Sequence, residues 1–170
     1  MSIKDITTVI TSFKSEDKII NCLNSINSQC KVLVIENSNN LNFKREIEKN
    51  FKNVNCFLTG ENLGYGKANN IGLAKVDTKY ALILNPDTIL EQNTFENFIG
   101  FVNQFSDFAI IAPAQQEEEI QKNIRNDFSI KNSTSLSEKI EVNNVKGFAM
   151  FLKIDEFEEV GFFDENFFMY

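Results

Sequence analysis

Asn85-Pro86-Asp87 follows directly on the uncharged run Tyr80–Leu84 (YALIL). An apolar strand that delivers one carboxylate at its tip, stiffened by proline, suits a divalent cation bridging a diphosphate. Mg2+ or Mn2+ takes few protein oxygens and completes its shell from phosphate and water. The same three residues suit a Pro-Asp turn that caps the next helix, and the local sequence weighs the two readings equally. A second candidate is the glycine-rich stretch NLGYGKANN at residues 62–70. A P-loop spacing fails there, because Lys67 is followed by Ala68 where a hydroxyl must hold magnesium. The dinucleotide fingerprint fails too, since Asn69 stands where the last glycine belongs. A glycine-opened helix start with free N–H donors is what remains, beside the plainer reading of a tightly packed helix. The chain contains no histidine, which excludes Ser-His-Asp and Cys-His catalysis and every histidine-containing zinc site. Acid–base or metal chemistry must therefore come from carboxylates, lysine, tyrosine or cysteine. Cys22, Cys30 and Cys56 have no CxxC spacing and read as free core thiols in a reducing compartment. The acidic run Glu117, Glu118 and Glu119 reads as a solvated face rather than a metal cluster.

These residues need elements to position them. Residues 7–13 (TTVITSF), 31–36 (KVLVIE), 54–58 and 80–84 are strand-like, uncharged or β-branched runs. Between them lie helical patterns. Ser15 with Glu16 and Asp17 predicts a capped helix carrying Ile19, Ile20, Leu23 and Ile26. Phe43, Ile47 and Phe51 predict one over 42–51, and residues 64–75 a small-residue helix. Phe95, Phe98, Ile99, Val102 and Phe105 mark another, before a strand at 108–112. This alternation implies βαβ crossovers and an α/β fold with a mainly parallel sheet flanked by helices. The pattern lapses over 114–144, read as a long loop or small excursion, and resumes with a strand at 145–154 and a short helical turn. Ligands bind at the carboxyl ends of such strands. Polar residues stand at four successive ends: Ser12 with Phe13, Glu36-Asn37-Ser38, Asn62 to Asn70, and Asn85 to Asp87. Jointly they imply a shared crevice.

The 170 residues (19.5 kDa), 42 % hydrophobic, are enough for one domain with one core. A formal net charge of −7 argues against a nucleic-acid partner, which needs a basic face, but not against a nucleotide. The first residues lack the continuous apolar stretch of a signal peptide, and no apolar run approaches the ~20 residues of a membrane span. The chain reads as cytoplasmic, with attachment at the inner face of the membrane left open. The last ten residues, GFFDENFFMY, stop within an aromatic cluster, which reads as a domain cut short inside its fold.

The chain resembles the family 2 glycosyltransferases of GT-A fold, especially their rhamnosyltransferase-like branch. The resemblance rests on IENSN (35–39), ENLGYGKANNIG (61–72), LNPDT (84–88), VKGFAMFLK (145–153) and FEEVGFFDENFFMY (157–170), in the family's order. It implies one GT-A domain over 1–170, with a nucleotide-binding half at 1–112 and a partial acceptor-side half at 113–170. It implies that Thr11, Ser12 and Phe13 border the nucleotide and that Glu36, with Asn37 and Ser38, meets the pyrimidine base. Asn62, Gly64, Lys67 and Asn69 would line the donor pocket. Asn85-Pro86-Asp87 is similar to the family's DxD element with its first acid replaced; Asp87 would hold Mg2+ or Mn2+ and Asn85 the ribose or a phosphate. Gly147 and Phe148 would floor the transferred sugar, and Asp164 and Glu165 frame the acceptor side. The implied reaction is an inverting transfer of a sugar, rhamnose by the branch, from a UDP- or dTDP-linked donor to a glycan or lipid-linked acceptor. The family's general base falls beyond Tyr170, and Asp164 or Glu165 could substitute for it only if the fold brings one within hydrogen-bond reach. Two alternatives stand beside this: a domain that binds donor without transfer, and a sugar nucleotidyltransferase. The latter wants a glycine- and basic-rich loop after the first strand, which TSFK at 11–14 does not supply.

Overall fold

The β-branched run ITTVITS forms β1 (Ile6–Ser12), buried along its length except at Thr11. In the computed structural model, which describes residues 1–113 and 144–169, the elements alternate as the pattern requires. They are α1 (Glu16–Ser25), β2 (Lys31–Glu36), α2 (Leu41–Asn50), β3 (Val54–Leu58), α3 (Tyr65–Leu73), β4 (Tyr80–Leu84), α4 (Thr94–Gln104), β5 (Ile110–Ile111) and β6 (Ala149–Lys153). One six-stranded sheet runs β3-β2-β1-β4-β6-β5. β1 to β4 are mutually parallel where paired, while β6 is antiparallel to β4, and β5 to β6. The chain winds outward from β1 to β3 and then returns across β1 to β4. The switch point therefore lies at the carboxyl ends of β1 and β4.

Alternation along the strands divides the core. On one face Ile6, Ile10, Val32 and Val34 pack against Ile19 and Leu23 of α1, Phe43 and Ile47 of α2, and Phe95 and Phe98 of α4. Phe151 centres an aromatic stack there, 4.6 Å from Phe98 and 5.3 Å from Tyr80 between ring centroids. On the other face Val9, Leu33, Ile35 and Ile83 meet Ala68 and Leu73 of α3. Gly72 permits that approach, since a Cβ there would lie 2.4 Å from Val9 Cγ1.

Several expectations are corrected. Ser15 occupies the N-cap position of α1 without capping it; its hydroxyl donates to the Phe13 carbonyl at 3.0 Å. α2 starts at Leu41, because Asn40 Oδ1 accepts from the Phe43 N–H at 3.0 Å. α3 starts at Tyr65, because Gly64 holds φ +80°, outside helical space. The strands expected at 108–112 and 145–154 shorten to β5 and β6, as residues 147 and 148 leave the ladder to bond α3 and the end of β4. The C-terminal aromatics are mostly exposed, Phe167 by 60 % and Phe168 by 57 %, while Phe163 packs on the second core. Cys22, Cys30 and Cys56 are free and buried. No helix among the described residues is long and apolar enough to cross a membrane. The acidic run at 117–119, the lapse over 114–143 and Tyr170 lie outside the described residues.

Candidate functional site

The β1–β2 ladder ends with Ser12 opposite Glu36. By strand alternation both face the α1–α2 side, while Thr11 faces α3. Asn37, just past β2 and buried, ties this edge to the loop that follows β3. Its N–H donates to the Ser12 carbonyl at 2.7 Å. Its side-chain Nδ2 donates to Asn62 Oδ1 (2.9 Å) and the Gly64 carbonyl (3.2 Å), and its Oδ1 accepts from the Leu63 N–H (2.9 Å). Ser38 Oγ donates to Glu36 Oε1 at 2.5 Å. Burial raises the Glu36 carboxyl above its ordinary range, with like charge from Glu16; the Ser38 hydrogen bond pulls the other way, as does the Ser12 hydroxyl, which lies close without meeting hydrogen-bond geometry.

Among the described residues, four buried side-chain atoms have no hydrogen-bond partner: Thr11 Oγ1, Ser12 Oγ, Glu36 Oε2 and Asn69 Oδ1. All belong to residues singled out from the sequence. Each such atom costs about 1–3 kcal/mol if nothing satisfies it, and native proteins keep few of them. Asn69 is held in place by Nδ2, which donates to the Tyr65 carbonyl at 3.0 Å.

The start of α3 differs from expectation. The N–H groups leading into it are engaged: Leu63 donates to Asn37, Gly64 to Asn62 Oδ1 at 3.1 Å, and Tyr65, the first residue of the helix, to the Phe168 carbonyl at 3.0 Å. Lys67 is exposed there. At the end of β4, the Thr88 N–H donates to the Asn85 carbonyl at 3.1 Å, so the Pro-Asp turn exists. It does not cap α4, which begins only at Thr94. Asp87 is left exposed, 3.8 Å from Lys18 Nζ. No group of three or more acidic or thiol side chains is placed to hold a metal among the described residues. A lone exposed carboxylate fits Mg2+ or Mn2+ that takes its other ligands from diphosphate and water, and not a closed protein cage.

Gly147 and Phe148 bridge the two sides of the crevice. Tyr65 Oη donates to the Gly147 carbonyl at 2.5 Å, and the Phe148 carbonyl accepts from the Asn85 N–H at 2.8 Å. Phe13 is 39 % exposed at the rim, with Lys14 Nζ over its ring. Asp164 and Glu165 lie on an exposed segment over α3. Asp164 Oδ1 accepts from Asn166, and Glu165 Oε1 from Asn70 at 3.1 Å. Sequence reasoning passed over Lys18, Tyr65 and Asn70, whose partners are remote in the chain and leave no local pattern.

A sequence model of Glycosyl transferase family 2 matches residues 7–161. The chain belongs to this family. Among curated proteins it is similar to the low-salt glycan biosynthesis hexosyltransferase Agl10 of Haloferax volcanii. Identity is 23 % over 181 residues, covering 98 % of this chain and 58 % of Agl10. It is also similar to the rhamnosyltransferase WbbL of Escherichia coli K12, 27 % identical over 190 residues, covering 95 % of this chain and 71 % of WbbL. The chain thus spans only part of either relative's length. Two solved structures share the fold. S. aureus TarS 1-349 superposes with a TM-score of 0.70 at 15 % identity, covering 94 % of this chain and 50 % of that one. The mannosyltransferase PcManGT of Pyrobaculum calidifontis, in complex with GDP-Man and Mn2+, gives 0.73 at 12 % identity, covering 95 % and 48 %. The fold is the GT-A glycosyltransferase fold, with its mainly parallel sheet flanked by helices.

Proposed function

We propose that the crevice at the carboxyl edge of the sheet binds a nucleoside-diphosphate sugar, and that the chain serves an inverting transfer to a glycan or lipid-linked acceptor. The observation that carries this reading is the set of four unpartnered buried atoms on Thr11, Ser12, Glu36 and Asn69. A base and ribose rich in donors and acceptors would satisfy them. TarS 1-349 in complex with UDP-GlcNAc and PcManGT with GDP-Man add support from proteins of the same fold. Glu36 and Ser12 meet the base, with UDP or dTDP as the nucleotide by the branch resemblance. Thr11, Phe13, Asn37, Ser38, Asn62, Gly64, Lys67 and Asn69 shape the pocket around it. Asn85 meets ribose or phosphate, and Gly147 and Phe148 lie under the sugar. Asp87 holds Mg2+ or Mn2+, which when bound stabilises negative charge on the departing diphosphate. A hexose, rhamnose in the narrower reading, is the transferred group. A thermal-shift series of nucleoside diphosphates with Mn2+ tests this. UDP or dTDP should raise the melting temperature, and no rise with any nucleoside diphosphate overturns the reading.

A second reading is favoured by the two acceptor-side acids. Asp164 and Glu165 are exposed, and each accepts at one oxygen from a neighbouring amide, which gives neither the desolvated setting that tunes a general base. On that reading the 170 residues bind donor and transfer nothing. A radiolabelled-sugar assay separates the two: this chain beside one extended at its C-terminus should differ in turnover, and equal turnover sinks the second reading.

A further inference from the structure

The segment 162–169 crosses the amino end of α3 with much of its apolar surface in water; Phe167, Phe168 and Met169 are 60 %, 57 % and 60 % exposed. Packing of those side chains is too slight to hold it. Its backbone is held instead. Asn70 Nδ2 donates to the Phe163 carbonyl at 2.9 Å, and Asn70 Oδ1 accepts from the Phe163 N–H at 3.0 Å. A primary amide gives and takes through separate atoms in this way, as the edge of a neighbouring strand would. A further bond joins Tyr65 N–H to the Phe168 carbonyl at 3.0 Å, and the Tyr65 ring meets Phe163 edge-on at 5.6 Å. Gly64 and Gly66 leave room for the crossing. A Cβ on Gly64 would lie 2.3 Å from the Phe168 carbonyl oxygen, and one on Gly66 3.2 Å from Phe163 Cβ.

The same turn of helix carries part of the candidate donor site. Asn69, beside Asn70, is buried with Oδ1 unpartnered. Gly64 accepts from Asn37 and donates to Asn62, one residue before the Tyr65–Phe168 bond. A ligand that orders the Asn37–Asn62–Gly64 contacts thereby orders the support of the crossing segment. We infer that Asn70 is a positioning residue that couples occupancy of the donor crevice to the placement of segment 162–168. The inference rests on reading that crevice as a donor site.

Amide hydrogen exchange on the whole chain, with and without UDP and Mn2+, tests it. In the parent, UDP with Mn2+ should slow exchange of the Phe163 and Tyr65 amides several-fold. In Asn70→Leu these amides should exchange at least tenfold faster without ligand. The UDP-induced rise in melting temperature should persist there while the UDP-induced protection of segment 162–168 is lost. Exchange of β1 and β2 amides reports whether the variant is folded. If it is not, Asn70→Asp, which keeps the acceptor for the Phe163 N–H and removes the donor, should show the same loss in part. Equal UDP-induced protection in parent and variant overturns the inference, as does a melting shift in the parent with no change at the segment. Absence of any melting shift with UDP in the parent overturns the donor-site reading, and the coupling with it.

Discussion

Ser12 and Glu36 face each other on the last rung of the β1–β2 ladder, and the Ser12 hydroxyl and the Glu36 Oε2 oxygen both lack a partner. Glu36 is 1 % exposed. A carboxylate so placed is stabilised on one oxygen by Ser38 and left wanting on the other.

Burial sets the sign of the pH dependence at Glu36. Its carboxyl is raised from 4.5 in the folded state, so the native protein binds that proton more tightly than the unfolded chain. Stability from this group is present below about pH 4.5 and is lost as pH rises through the folded value. Glu36→Gln keeps an acceptor for Ser38 and removes the charge. The variant should be more stable than the parent at pH 7, with the gap closing toward pH 4. Urea unfolding at both pH values checks this, and a gap that widens in acid contradicts it.

Asp87→Ala should leave the unliganded protein within about 0.5 kcal/mol of the parent, as an exposed surface change does. Its effect belongs to the ligand. Saturating UDP with Mn2+, at about 100 times Kd, should stabilise the parent by about 2.7 kcal/mol, a rise of roughly 5–10 °C for a chain of this size. In the variant the Mn2+-dependent part of that rise should vanish. Scanning calorimetry with UDP alone and with UDP plus Mn2+ reads the difference.

Gly64 and Gly60 separate strain from collision. Both hold positive φ, +80° and +87°. A Cβ on Gly60 meets nothing within 4 Å, whereas one on Gly64 collides with the Phe168 carbonyl. Gly60→Ala should cost about 1 kcal/mol from backbone conformation alone. Gly64→Ala should cost more, about 2–3 kcal/mol, or expel the crossing segment. Urea midpoints rank the two, and limited proteolysis within 162–169 reports expulsion.

Phe151→Ala removes the centre of a stack formed with Phe98, Tyr80 and Phe108. The side chain is fully buried. A loss of about 3–5 kcal/mol is expected from transfer and cavity together. It should appear as a lower urea midpoint with an unchanged slope.

Much of this architecture was legible because the governing physics is local. YALIL has no charged side chain at any of its five positions, and all five are buried in β4. The helical spacing of Phe43 and Ile47 likewise located α2. Ser15 misled for a local reason as well. Its hydroxyl had a competing acceptor, the Phe13 carbonyl, two residues back.

The candidates for a shared crevice could be named from the sequence by itself, since polar groups at the ends of apolar parallel strands fall together along the sheet's carboxyl edge. Tertiary structure alone decided which of their atoms are satisfied. The glycine-led start of α3 read as a set of free N–H donors, and the Phe168 carbonyl takes the Tyr65 N–H from far along the chain. Asp87 read equally as a cap or a ligand. It became an exposed carboxylate, 3.8 Å from Lys18 Nζ, because α4 begins seven residues later, at Thr94. Periodicity and composition report on near neighbours, whereas hydrogen-bond satisfaction depends on groups brought together only when the sheet closes and the segment after β6 crosses α3.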